Sequence, residues 1–544
     1  MLHGMMMDRP LLISSLIDYA VDYFGGREIV SVTADDPAHR TDYRTIGGRA
    51  RQLANALTKR FGIQPGDRVA TLAWNDHRHL EIYYGVSGSG AVCHTINPRL
   101  FADQIVYIVN HAADRLLFID PMFWPLVQKL MPQMPTLEHI VVMTAPQLMP
   151  KDSPVAALNY ETVITEQSDD FVWPTFEETA ASSLCYTSGT TGAPKGVLYH
   201  HRSTVLHSFS IALPNALGIG ADDVVLPVVP MFHVNAWGLP YACPMAGAKL
   251  VLPGPKLDGE SLSRLFNKEK VTLSAGVPTI WAGLLDHCAA SGEKLGTLRT
   301  VVIGGSAAPL AMIERFEDEH DVLALHGWGM TEMSPVGTVC RLGPAFAGRG
   351  REACQRQKVK QGRPLYGVDV KIVDEAGHAL PHDGEAAGLL MVRGPWITSG
   401  YYQDEAANQE AFDGDGWFST GDIATIDSDG FMEVTDRAKD MIKSGGEWIS
   451  SIALENLAVG HPAVTEAAVI GVHHPKWDER PLLIVVLRDG EMTTAGELLG
   501  YIGGKVAKWQ IPDDVIIVDE LPHTATGKIQ KTALRERFKD HAWP

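Results

Sequence analysis

One short segment of the sequence gathers hydroxyl groups, glycines and a lysine. Its candidate ligand-binding residues are Thr187, Ser188, Gly189, Thr190, Thr191 and Lys195. Glycines let backbone N–H groups approach an anion closely, hydroxyls add donors, and a lysine adds a point charge. The segment is not a Walker loop, because that pattern needs Ser or Thr after the lysine and Gly196 stands there. The composition predicts a phosphate-binding loop, with an ordinary Gly/Thr turn as the alternative.

The overall composition limits the classes of function. The 544 residues include 46 Lys plus Arg and 65 Asp plus Glu, which gives a formal net charge of −19. The length indicates several domains with a substantial core. No dense basic run is present, so the composition disfavours nucleic-acid binding. Six cysteines without a C-x-x-C pair argue against a zinc site or a disulfide framework and predict a cytoplasmic location.

Two segments could be mistaken for targeting or membrane sequences. Asp8, Arg9 and Pro10 stand where a signal peptide needs an unbroken apolar core, so we expect this N-terminus to belong to the mature protein. Residues 224–248 contain no Asp, Glu, Lys or Arg and are long enough to cross a membrane. Four prolines would break such a helix, and His233 and Asn235 would need partners there. We therefore predict a buried strand followed by a pocket-lining segment, and no membrane span.

Strand-like and helix-like segments alternate through most of the chain. Residues 67–75 have the character of a strand, residues 77–91 that of a helix, and residues 322–329 that of a later strand. Such alternation predicts an α/β protein with largely parallel sheets, whose ligands bind at the carboxyl ends of the strands. Residues 144–180 and 341–361 are predicted to be long, irregular connections.

The character of the sequence changes after about residue 435. Residues 436–450 are charged and contain glycines, which suits a hinge or linker. Strand-like segments and a helix near 495–508 follow, enough for one small domain. We predict a large domain over 1–435, a hinge over 436–440 and a small C-terminal domain over 441–544.

Six unusual strings stand in one order along the chain. They are "YTSGTTGAPKG", "PMFHVNAWG", "GWGMTE", "STGD", "DRAKDMIKSGGEWIS" and "PHTATGKIQK". Together they resemble the adenylate-forming superfamily, which comprises acyl-CoA synthetases, nonribosomal peptide adenylation domains and beetle luciferases. Within it, "VPMFHVNAWGLPYA" and "IKSGGEWISS" are most similar to medium- and long-chain fatty acyl-CoA synthetases. The chain also resembles the bacterial 3-methylmercaptopropionate–CoA ligases that act in dimethylsulfoniopropionate breakdown.

The resemblance implies both a fold and a reaction. The fold is an α/β N-terminal domain of stacked mixed or parallel sheets with flanking helices and a small β-barrel-like part, followed by a small mobile α+β domain. The reaction is an ATP- and Mg²⁺-dependent ligation, in which a small-molecule carboxylate forms an acyl-adenylate and coenzyme A then displaces AMP. A fatty acid or a short thioether acid such as 3-methylmercaptopropionate is the implied substrate. A homodimer is the implied assembly.

The same resemblance assigns nucleotide-binding roles to individual residues. The loop at 187–195 holds the triphosphate, and Thr331 bonds the α-phosphate. The residues implied to line the adenine pocket are Gly305, Ser306, Ala307, His326, Gly327 and Trp328. Asp422 accepts hydrogen bonds from the ribose hydroxyls, which suits a carboxylate, and Arg437 assists at the ribose or phosphate. Asp422 as an ordinary turn residue is the alternative.

Four residues are the implied catalytic groups: Lys528, Glu332, His233 and Lys443. Lys528 stabilises negative charge as carboxylate and α-phosphate meet, whereas Lys443 serves the thioester-forming state. Glu332 is a hard oxygen ligand for Mg²⁺ that shares the ion with Thr187. The alternatives are a solvated lysine at 528 and a carboxylate that merely begins a helix at 332.

The remaining implied site residues concern the acyl group and coenzyme A. His233, Trp237, Gly329 and Met330 belong to the acyl site, with Trp237 controlling the acyl channel and His233 lying at its junction with ATP. A core tryptophan and a hydrogen-bonded structural histidine are the alternatives. Gly445 and Gly446 let the pantetheine arm pass close to the backbone. Lys439 is expected to bind ligand beside the hinge.

Two other functions remain open on the sequence alone. One is a different adenylate-forming enzyme, either luciferase-like or a module that loads a carrier protein. The other is a catalytically silent nucleotide-binding protein, against which the intact Glu332 and Lys528 argue. Carboxylate-dependent pyrophosphate release separates enzyme from silent binder, and consumption of the coenzyme A thiol separates the ligase from the other enzymes.

Overall fold

The computed structural model describes residues 1–150, 157–187, 193–445, 447–488, 490–523 and 529–543. Its α-helices are α1 Ser14–Phe24, α2 Tyr43–Asn55, α3 His77–Gly88, α4 Ala102–Ala112, α5 Trp124–Leu130, α6 Tyr160–Thr165, α7 His201–Ala212, α8 Leu239–Ala246, α9 Gly259–Glu269, α10 Pro278–Ser291, α11 Leu310–Glu314, α12 Arg351–Lys358, α13 Glu405–Ala411, α14 Ser451–Val459, α15 Ala495–Gly503 and α16 Lys531–Arg537.

The first sixteen strands of the described residues build the α/β part of the chain. These strands are β1 Glu28–Ser31, β2 His39–Asp42, β3 Arg68–Leu72, β4 Val92–Thr95, β5 Leu116–Ile119, β6 His139–Val142, β7 Leu158–Asn159, β8 Ala181–Tyr186, β9 Gly196–His200, β10 Val224–Pro227, β11 Lys249–Leu252, β12 Leu273–Gly276, β13 Thr300–Ile303, β14 Leu323–Gly329, β15 Val336–Val339 and β16 Arg363–Pro364.

The later strands form two smaller sheets. They are β17 Asp369–Val373, β18 Gly388–Arg393, β19 Phe418–Ile426, β20 Met432–Arg437, β21 Ile442–Ser444, β22 Glu447–Ile449, β23 Val464–His474, β24 Asp478–Leu487 and β25 Asp514–Ile517.

Two large sheets of mostly parallel strands account for the alternation in the sequence. One has seven strands in the order β7-β6-β5-β3-β4-β8-β9, and the other has nine in the order β16-β15-β14-β13-β12-β10-β11-β1-β2. Among the described residues, antiparallel pairing is confined to the edges of these two sheets, at β8–β9, β1–β2, β14–β15 and β15–β16. Helices cover both faces of such sheets, so their strands are continuously apolar, as in the buried β5.

Two further sheets follow in the chain. Strands β17, β18, β19 and β20 form an antiparallel sheet in sequence order, with β17 and β20 at its edges. The last sheet runs β22-β21-β24-β23, with β25 pairing parallel to β24. Helices α14 and α15 pack with it around their own buried apolar cluster, which includes Leu454, Val469 and Leu498.

Two predicted connections contain helices, and the prediction of irregular structure there is wrong. Helix α6 begins at the Asn159 cap and buries Tyr160, Val163 and Ile164. Helix α12 buries none of its residues completely. A helix without a buried apolar stripe carries no 3.6-residue periodicity, so its sequence resembles a polar loop.

The uncharged segment at 224–248 contains the predicted strand, β10, and then the helix α8. Pro240 lies in the first turn of α8, where the missing backbone N–H has no partner to lose, while Pro244 lies inside the helix. Among the described residues, no helix is long and apolar enough to cross a membrane.

The predicted linker at 436–450 is mostly regular structure. Strand β20 runs through Arg437, and β21 and β22 form a hairpin. Between β20 and β21 lies a tight turn in which the N–H groups of Asp440 and Met441 both donate to the Arg437 carbonyl. The buried Asp436 accepts bonds from the Ser451 N–H at 2.5 Å and hydroxyl at 3.0 Å, which ties β20 to α14.

Candidate active site

A cavity of about 760 Å³ collects residues from the edges of three sheets. The sequence-predicted residues that line it are Thr187, Lys195, His233, Trp237, Gly305, Gly327, Trp328, Gly329, Met330, Thr331, Glu332, Arg437 and Lys439. They come from five separate stretches of the chain. Parallel strands end on the same side of a sheet, and this edge is where binding sites form in α/β proteins.

Other predicted residues lie outside the described residues or away from the cavity wall. Ser188, Gly189, Thr190, Thr191, Gly446 and Lys528 lie outside the described residues. Ser306, Ala307, His326, Asp422, Lys443 and Gly445 are described but are not among the lining residues.

A local hydrogen bond holds the His326 side chain away from the cavity wall. Its Nδ1 lies 2.8 Å from the Val359 carbonyl, and the ring is buried. Burial lowers the pKa of His326 to about 4, so its imidazole is neutral. Lys443 also points elsewhere, with Nζ 5.6 Å from the centre of the Trp448 ring.

Glu332, Tyr401 and Lys195 form the first polar cluster of the cavity. The Tyr401 hydroxyl donates to Glu332 Oε1 at 2.7 Å, and Lys195 Nζ lies 4.8 Å from the centre of the Tyr401 ring. Glu332 is only 5% exposed, and this burial raises the pKa of its carboxyl, while the Tyr401 bond and the Arg437 and Lys195 charges act in the opposite direction. One tyrosine therefore positions a carboxylate and a cation together.

Asp422, Trp328 and Arg437 form the second polar cluster. Asp422 and Arg437 are directly opposite on β19 and β20. The Arg437 Nε donates to Asp422 Oδ1 at 2.8 Å, and the Trp328 indole N–H donates to Oδ2 at 2.9 Å. Asp422 is buried behind these two side chains, which themselves line the cavity. The carboxylate thus fixes an aromatic ring and a guanidinium at the cavity wall.

The ends of the predicted phosphate loop are held as a narrow hairpin. The Thr187 N–H donates to the Lys195 carbonyl at 2.9 Å, and the Lys195 N–H donates back to Thr187 Oγ1 at 3.1 Å. Below this point the Tyr186 hydroxyl lies 2.7 Å from His111 Nδ1. The loop therefore starts and finishes at fixed points on β8 and β9.

The backbone turns left-handed at one wall of the cavity. Val234, Asn235, Ala236 and Trp237 have φ between 42° and 56°, and Gly238 follows at 80°. Non-glycine residues avoid this region because Cβ crowds the following carbonyl. A run of such residues persists only where the surroundings hold it.

Asn235 supplies much of the support for this left-handed turn. Its side-chain amide donates to Ser183 Oγ at 3.1 Å, and its side-chain carbonyl accepts from the Tyr83 hydroxyl at 3.2 Å. The Ala236 N–H lies 3.2 Å from both the Pro230 and the His233 carbonyl oxygens. The turn places the Trp237 ring against Gly304, where an added Cβ would lie 2.9 Å from the ring.

Comparison with known proteins identifies the family. The AMP-binding enzyme model matches residues 19–402, and the AMP-binding enzyme C-terminal domain model matches residues 453–528. The chain belongs to the AMP-binding enzyme family. The predicted membership of the adenylate-forming superfamily is confirmed.

Two similar relatives are themselves ligases. The chain is 55% identical over 540 residues to the 3-methylmercaptopropionyl-CoA ligase of Ruegeria lacuscaerulensis, covering 99% of each chain. It is 50% identical over 537 residues to the medium-chain-fatty-acid–CoA ligase of Ectopseudomonas oleovorans, covering 99% of this chain and 98% of the relative.

Solved structures of similar architecture confirm the predicted fold class. An anthranilate CoA ligase in complex with anthranoyl-AMP superposes with a TM-score of 0.87 at 27% identity, covering 98% of each chain. ATP-bound MatB from Rhodopseudomonas palustris gives a TM-score of 0.82 at 25% identity, covering 97% of this chain and 99% of that one.

The sequence reasoning missed two residues that organise this AMP-binding enzyme's site. Tyr401 lies outside the six strings, and its bond to Glu332 joins positions 69 residues apart. Asn235 lies inside "PMFHVNAWG", but nothing in the string indicates a left-handed turn. A tyrosine following "TSG" after an apolar strand was the available signal for Tyr401.

Proposed function

We propose that this AMP-binding enzyme joins a fatty acid or a short thioether acid, such as 3-methylmercaptopropionate, to coenzyme A. The predicted reaction class, an AMP-forming carboxylate–CoA ligase, is confirmed by relatives that are CoA ligases over almost the whole chain. The substrate class is supported by the character of the cavity, which combines an apolar wall with a cationic one.

The apolar wall comes from the nine-stranded sheet. Val228, Val277 and Gly304 directly follow the adjacent strands β10, β12 and β13, and Val302 lies on β13. All four line the cavity. The cationic wall comes from the other two sheets, through Lys195 beside β9 and Arg437 on β20. An aliphatic chain suits the first wall and a polyphosphate the second, so the carboxylate would lie between them.

This arrangement favours attack of the carboxylate on the α-phosphorus of ATP. A carboxylate oxygen bonds to the α-phosphorus, the bond to the bridging oxygen breaks, and pyrophosphate leaves. Both reactants are anions, so positioned cations and N–H donors lower the barrier by offsetting their repulsion. In the second step the coenzyme A thiol gives up its proton to solvent and its sulfur bonds to the acyl carbon. The bond from that carbon to the phosphate oxygen breaks, and AMP departs with the electron pair.

Glu332 and Thr187 are proposed to hold Mg²⁺. Tyr401 occupies Glu332 Oε1 and leaves Oε2 as a carboxylate acceptor, and the Thr187 hydroxyl oxygen retains a lone pair beyond the bond from Lys195 N–H. Hard oxygen donors of this kind fit Mg²⁺. The bound ion would neutralise charge on the phosphate oxygens.

The remaining roles are proposed from the resemblance to the adenylate-forming superfamily. We assign the adenine pocket to Gly305, Ser306, Ala307, His326, Gly327 and Trp328, the ribose to Asp422 and Arg437, and the α-phosphate to Thr331. His233, Trp237, Gly329 and Met330 are assigned to the acyl and pantetheine side. Lys528 is assigned to adenylation, and Lys443, Gly445 and Gly446 to thioester formation.

A screen of carboxylates tests the proposed function. Pyrophosphate release is measured with acids from propionate through 3-methylmercaptopropionate to palmitate, with thiol consumption measured in parallel. We expect both signals with medium-chain or thioether acids. Pyrophosphate release without thiol consumption would indicate a carrier-loading or luciferase-like enzyme, and neither signal would indicate a silent nucleotide-binding protein.

Trp237→Ala is expected to change the substrate profile of the enzyme. The ring lies at the cavity wall against Gly304, so its removal lengthens the acyl site. Because a methylene is worth about 1–3 kcal/mol in an apolar pocket, relative kcat/KM should shift towards longer acids by roughly tenfold or more per methylene accommodated. The KM for ATP should stay nearly constant. An unchanged chain-length profile would make Trp237 a purely structural residue.

We also propose a large domain over 1–435, a hinge over 436–440 and a small domain over 441–544. Lys528 and Lys443 belong to the same small domain but to different steps, so the small domain must change its pose between the steps. The turn closed on the Arg437 carbonyl is the short segment in which backbone dihedrals would change.

Lys439→Pro is expected to reduce thioester formation from supplied acyl-adenylate at least tenfold. Lys439 is the third residue of the turn that begins at Arg437, and proline there forces Ala438 out of the α region. Lys439→Ala is the matched control, since it removes the same side chain and keeps the backbone. Equal thioester rates in the two variants would place the hinge elsewhere.

Three broader properties complete the proposal. A homodimer is proposed from the resemblance to fatty acyl-CoA synthetases, and light scattering of the purified chain tests it. A cytoplasmic site of action is supported by six cysteines that are all free thiols. A role in dimethylsulfoniopropionate breakdown follows if 3-methylmercaptopropionate proves to be the preferred acid.

A further inference from the structure

His111 is a histidine at the end of α4 that none of the six strings includes. It lies in the last turn of that helix, and the residue is partly exposed. The Tyr107 ring, one turn earlier on the helix, stacks beside the imidazole with ring centres 5.4 Å apart. The imidazole is therefore supported by its own helix on one side and contacts residues of the seven-stranded sheet on the other.

The hydroxyl of Tyr186 forms a hydrogen bond with this imidazole. Tyr186 is the last residue of β8 and directly precedes Thr187, and its hydroxyl oxygen lies 2.7 Å from His111 Nδ1. The hydroxyl has no other acceptor among the described residues, so it donates its proton to Nδ1. Burial lowers the pKa of His111, which keeps the imidazole neutral at neutral pH and able to accept that bond.

The same imidazole contacts a residue that is bonded to the other end of the predicted phosphate loop. The Tyr402 N–H donates to the carbonyl of Gly196, the residue after Lys195, at 2.8 Å. The Tyr402 and His111 rings meet edge to face, with their centres 5.7 Å apart. Tyr186 also packs on Gly196, because a Cβ added there would lie 3.2 Å from the tyrosine ring. His111 therefore touches a support of each end of the loop.

A buried histidine–aspartate pair packs against the Tyr186 ring. His94 of β4 lies with its ring centre 5.1 Å from that of Tyr186, and its Nδ1 is 2.8 Å from Asp114 Oδ2. Both side chains of the pair are fully buried. The tyrosine ring thus has a fixed neighbour along its body, while the hydrogen bond to His111 fixes its hydroxyl end.

We propose that His111 is a positioning residue for ATP, acting through Tyr186 on the phosphate loop, an inference that rests on the proposed role of that loop in holding the triphosphate. His111 itself does not line the cavity. Its hydrogen bond fixes the point at which β8 ends and the loop begins, beside Thr187 and Lys195. Groups that are held in place before a ligand arrives lose less conformational entropy on binding. Loss of this bond should therefore weaken ATP binding and leave the later step, which uses no triphosphate, unaffected.

The test compares Tyr186→Phe, His111→Ala, His111→Asn and the double variant Tyr186→Phe with His111→Ala. Asparagine keeps an oxygen acceptor near the position of Nδ1. Tyr501→Phe is the matched control, because it removes a 2.7 Å bond from a tyrosine hydroxyl to the Gly460 carbonyl and does not line the cavity. Acid-dependent exchange between ATP and pyrophosphate gives the KM for ATP. AMP release from supplied acyl-adenylate and coenzyme A reports the second half-reaction, and thermal unfolding checks that each variant is folded.

We expect Tyr186→Phe and His111→Ala each to raise the KM for ATP by about 3- to 10-fold, the range of one neutral hydrogen bond. The KM for the acid and the rate of AMP release from acyl-adenylate should stay close to those of the wild type. The double variant should match the larger single effect, because both changes remove the same bond. His111→Asn should keep most of the affinity for ATP, and Tyr501→Phe should behave like the wild type.

Four results would overturn the inference. An unchanged KM for ATP in His111→Ala would show that the histidine does not act on ATP binding. Effects that multiply in the double variant would show that His111 and Tyr186 act separately. A KM for ATP as high in His111→Asn as in His111→Ala would exclude the hydrogen bond as the cause. An equal fall in AMP release from supplied acyl-adenylate would mean a general structural effect.

Failure of the proposed role of the loop is distinguishable from failure of this inference. Lys195→Ala removes the cation of the loop and should raise the KM for ATP. If Lys195→Ala left that KM unchanged, the loop would not hold the triphosphate, and the inference about His111 would fall with it. If Lys195→Ala raised the KM and His111→Ala did not, the inference alone would be wrong.

Discussion

Lys528→Ala is expected to slow acyl-adenylate formation by about 100-fold or more, the usual cost of removing one preorganised charge-stabilising group. The proposed role of Lys528 is to offset negative charge while a carboxylate and the α-phosphate combine. That charge is gone once the adenylate exists. The variant should therefore convert supplied acyl-adenylate and coenzyme A to thioester at a rate close to that of the wild type.

The measurement needs the two half-reactions separately. Pyrophosphate release in a single turnover reports adenylation, and AMP release from supplied acyl-adenylate reports thioester formation. Lys508→Ala, a change at an exposed lysine of the same proposed domain, is the control and should leave both rates unchanged. If Lys528→Ala lowered both rates equally, the lysine would have a shared or structural role.

Glu332→Gln is expected to reduce adenylation by a similar factor, about 100-fold or more, for a different reason. Glutamine keeps the size of the side chain and an oxygen that accepts from the Tyr401 hydroxyl, so the local packing should survive. What is lost is the negative charge proposed to bind Mg²⁺. The concentration of Mg²⁺ needed for half-maximal rate should therefore rise along with the fall in kcat.

Tyr401→Phe tests the contribution of the Tyr401 hydrogen bond separately from that of the Glu332 carboxylate itself. Phenylalanine keeps the ring beneath Lys195 and removes only the bond to Glu332. Loss of an outer contact to a metal ligand typically costs about 10- to 100-fold, so this variant should be less impaired than Glu332→Gln. An unchanged Mg²⁺ requirement in Glu332→Gln would exclude the proposed metal role for Glu332.

Many of the residues that line the cavity can be predicted from the sequence, whereas the residues that position them, such as Tyr401, cannot. Thr187, Lys195, Glu332 and Arg437 come from ordered strings, and the structure brings them to one cavity. Those strings consist of residues that contact ligands, and their chemistry is visible in residue type. The bond from Tyr401 depends on how a loop after β18 meets the short 3₁₀ turn that contains Glu332, and residue type does not reveal that meeting.

Backbone conformation shows the same limit. The alternation of strand-like and helix-like segments predicts α/β layers, because burial on both faces makes each strand of a parallel sheet continuously apolar. The left-handed path at Val234 to Trp237 contradicts the local preference of each of those residues, so propensity predicts the opposite hand. Helix α12 could not be predicted for a different reason. None of its residues is buried, so its sequence needs no apolar periodicity.

The left-handed turn has a consequence for how the substrate range of such an enzyme can evolve. Each non-glycine residue in it costs about 1–2 kcal/mol, and the contacts of Asn235 offset part of that cost. A mutation that weakens those contacts would release the turn as a unit, so natural selection should hold this wall fixed. Val302 lies on β13 and Val277 just after β12, in the same nine-stranded sheet but on ordinary backbone, so we expect both positions to accept graded changes in volume. We therefore expect descendants with new acyl preferences to diverge first at those two valines.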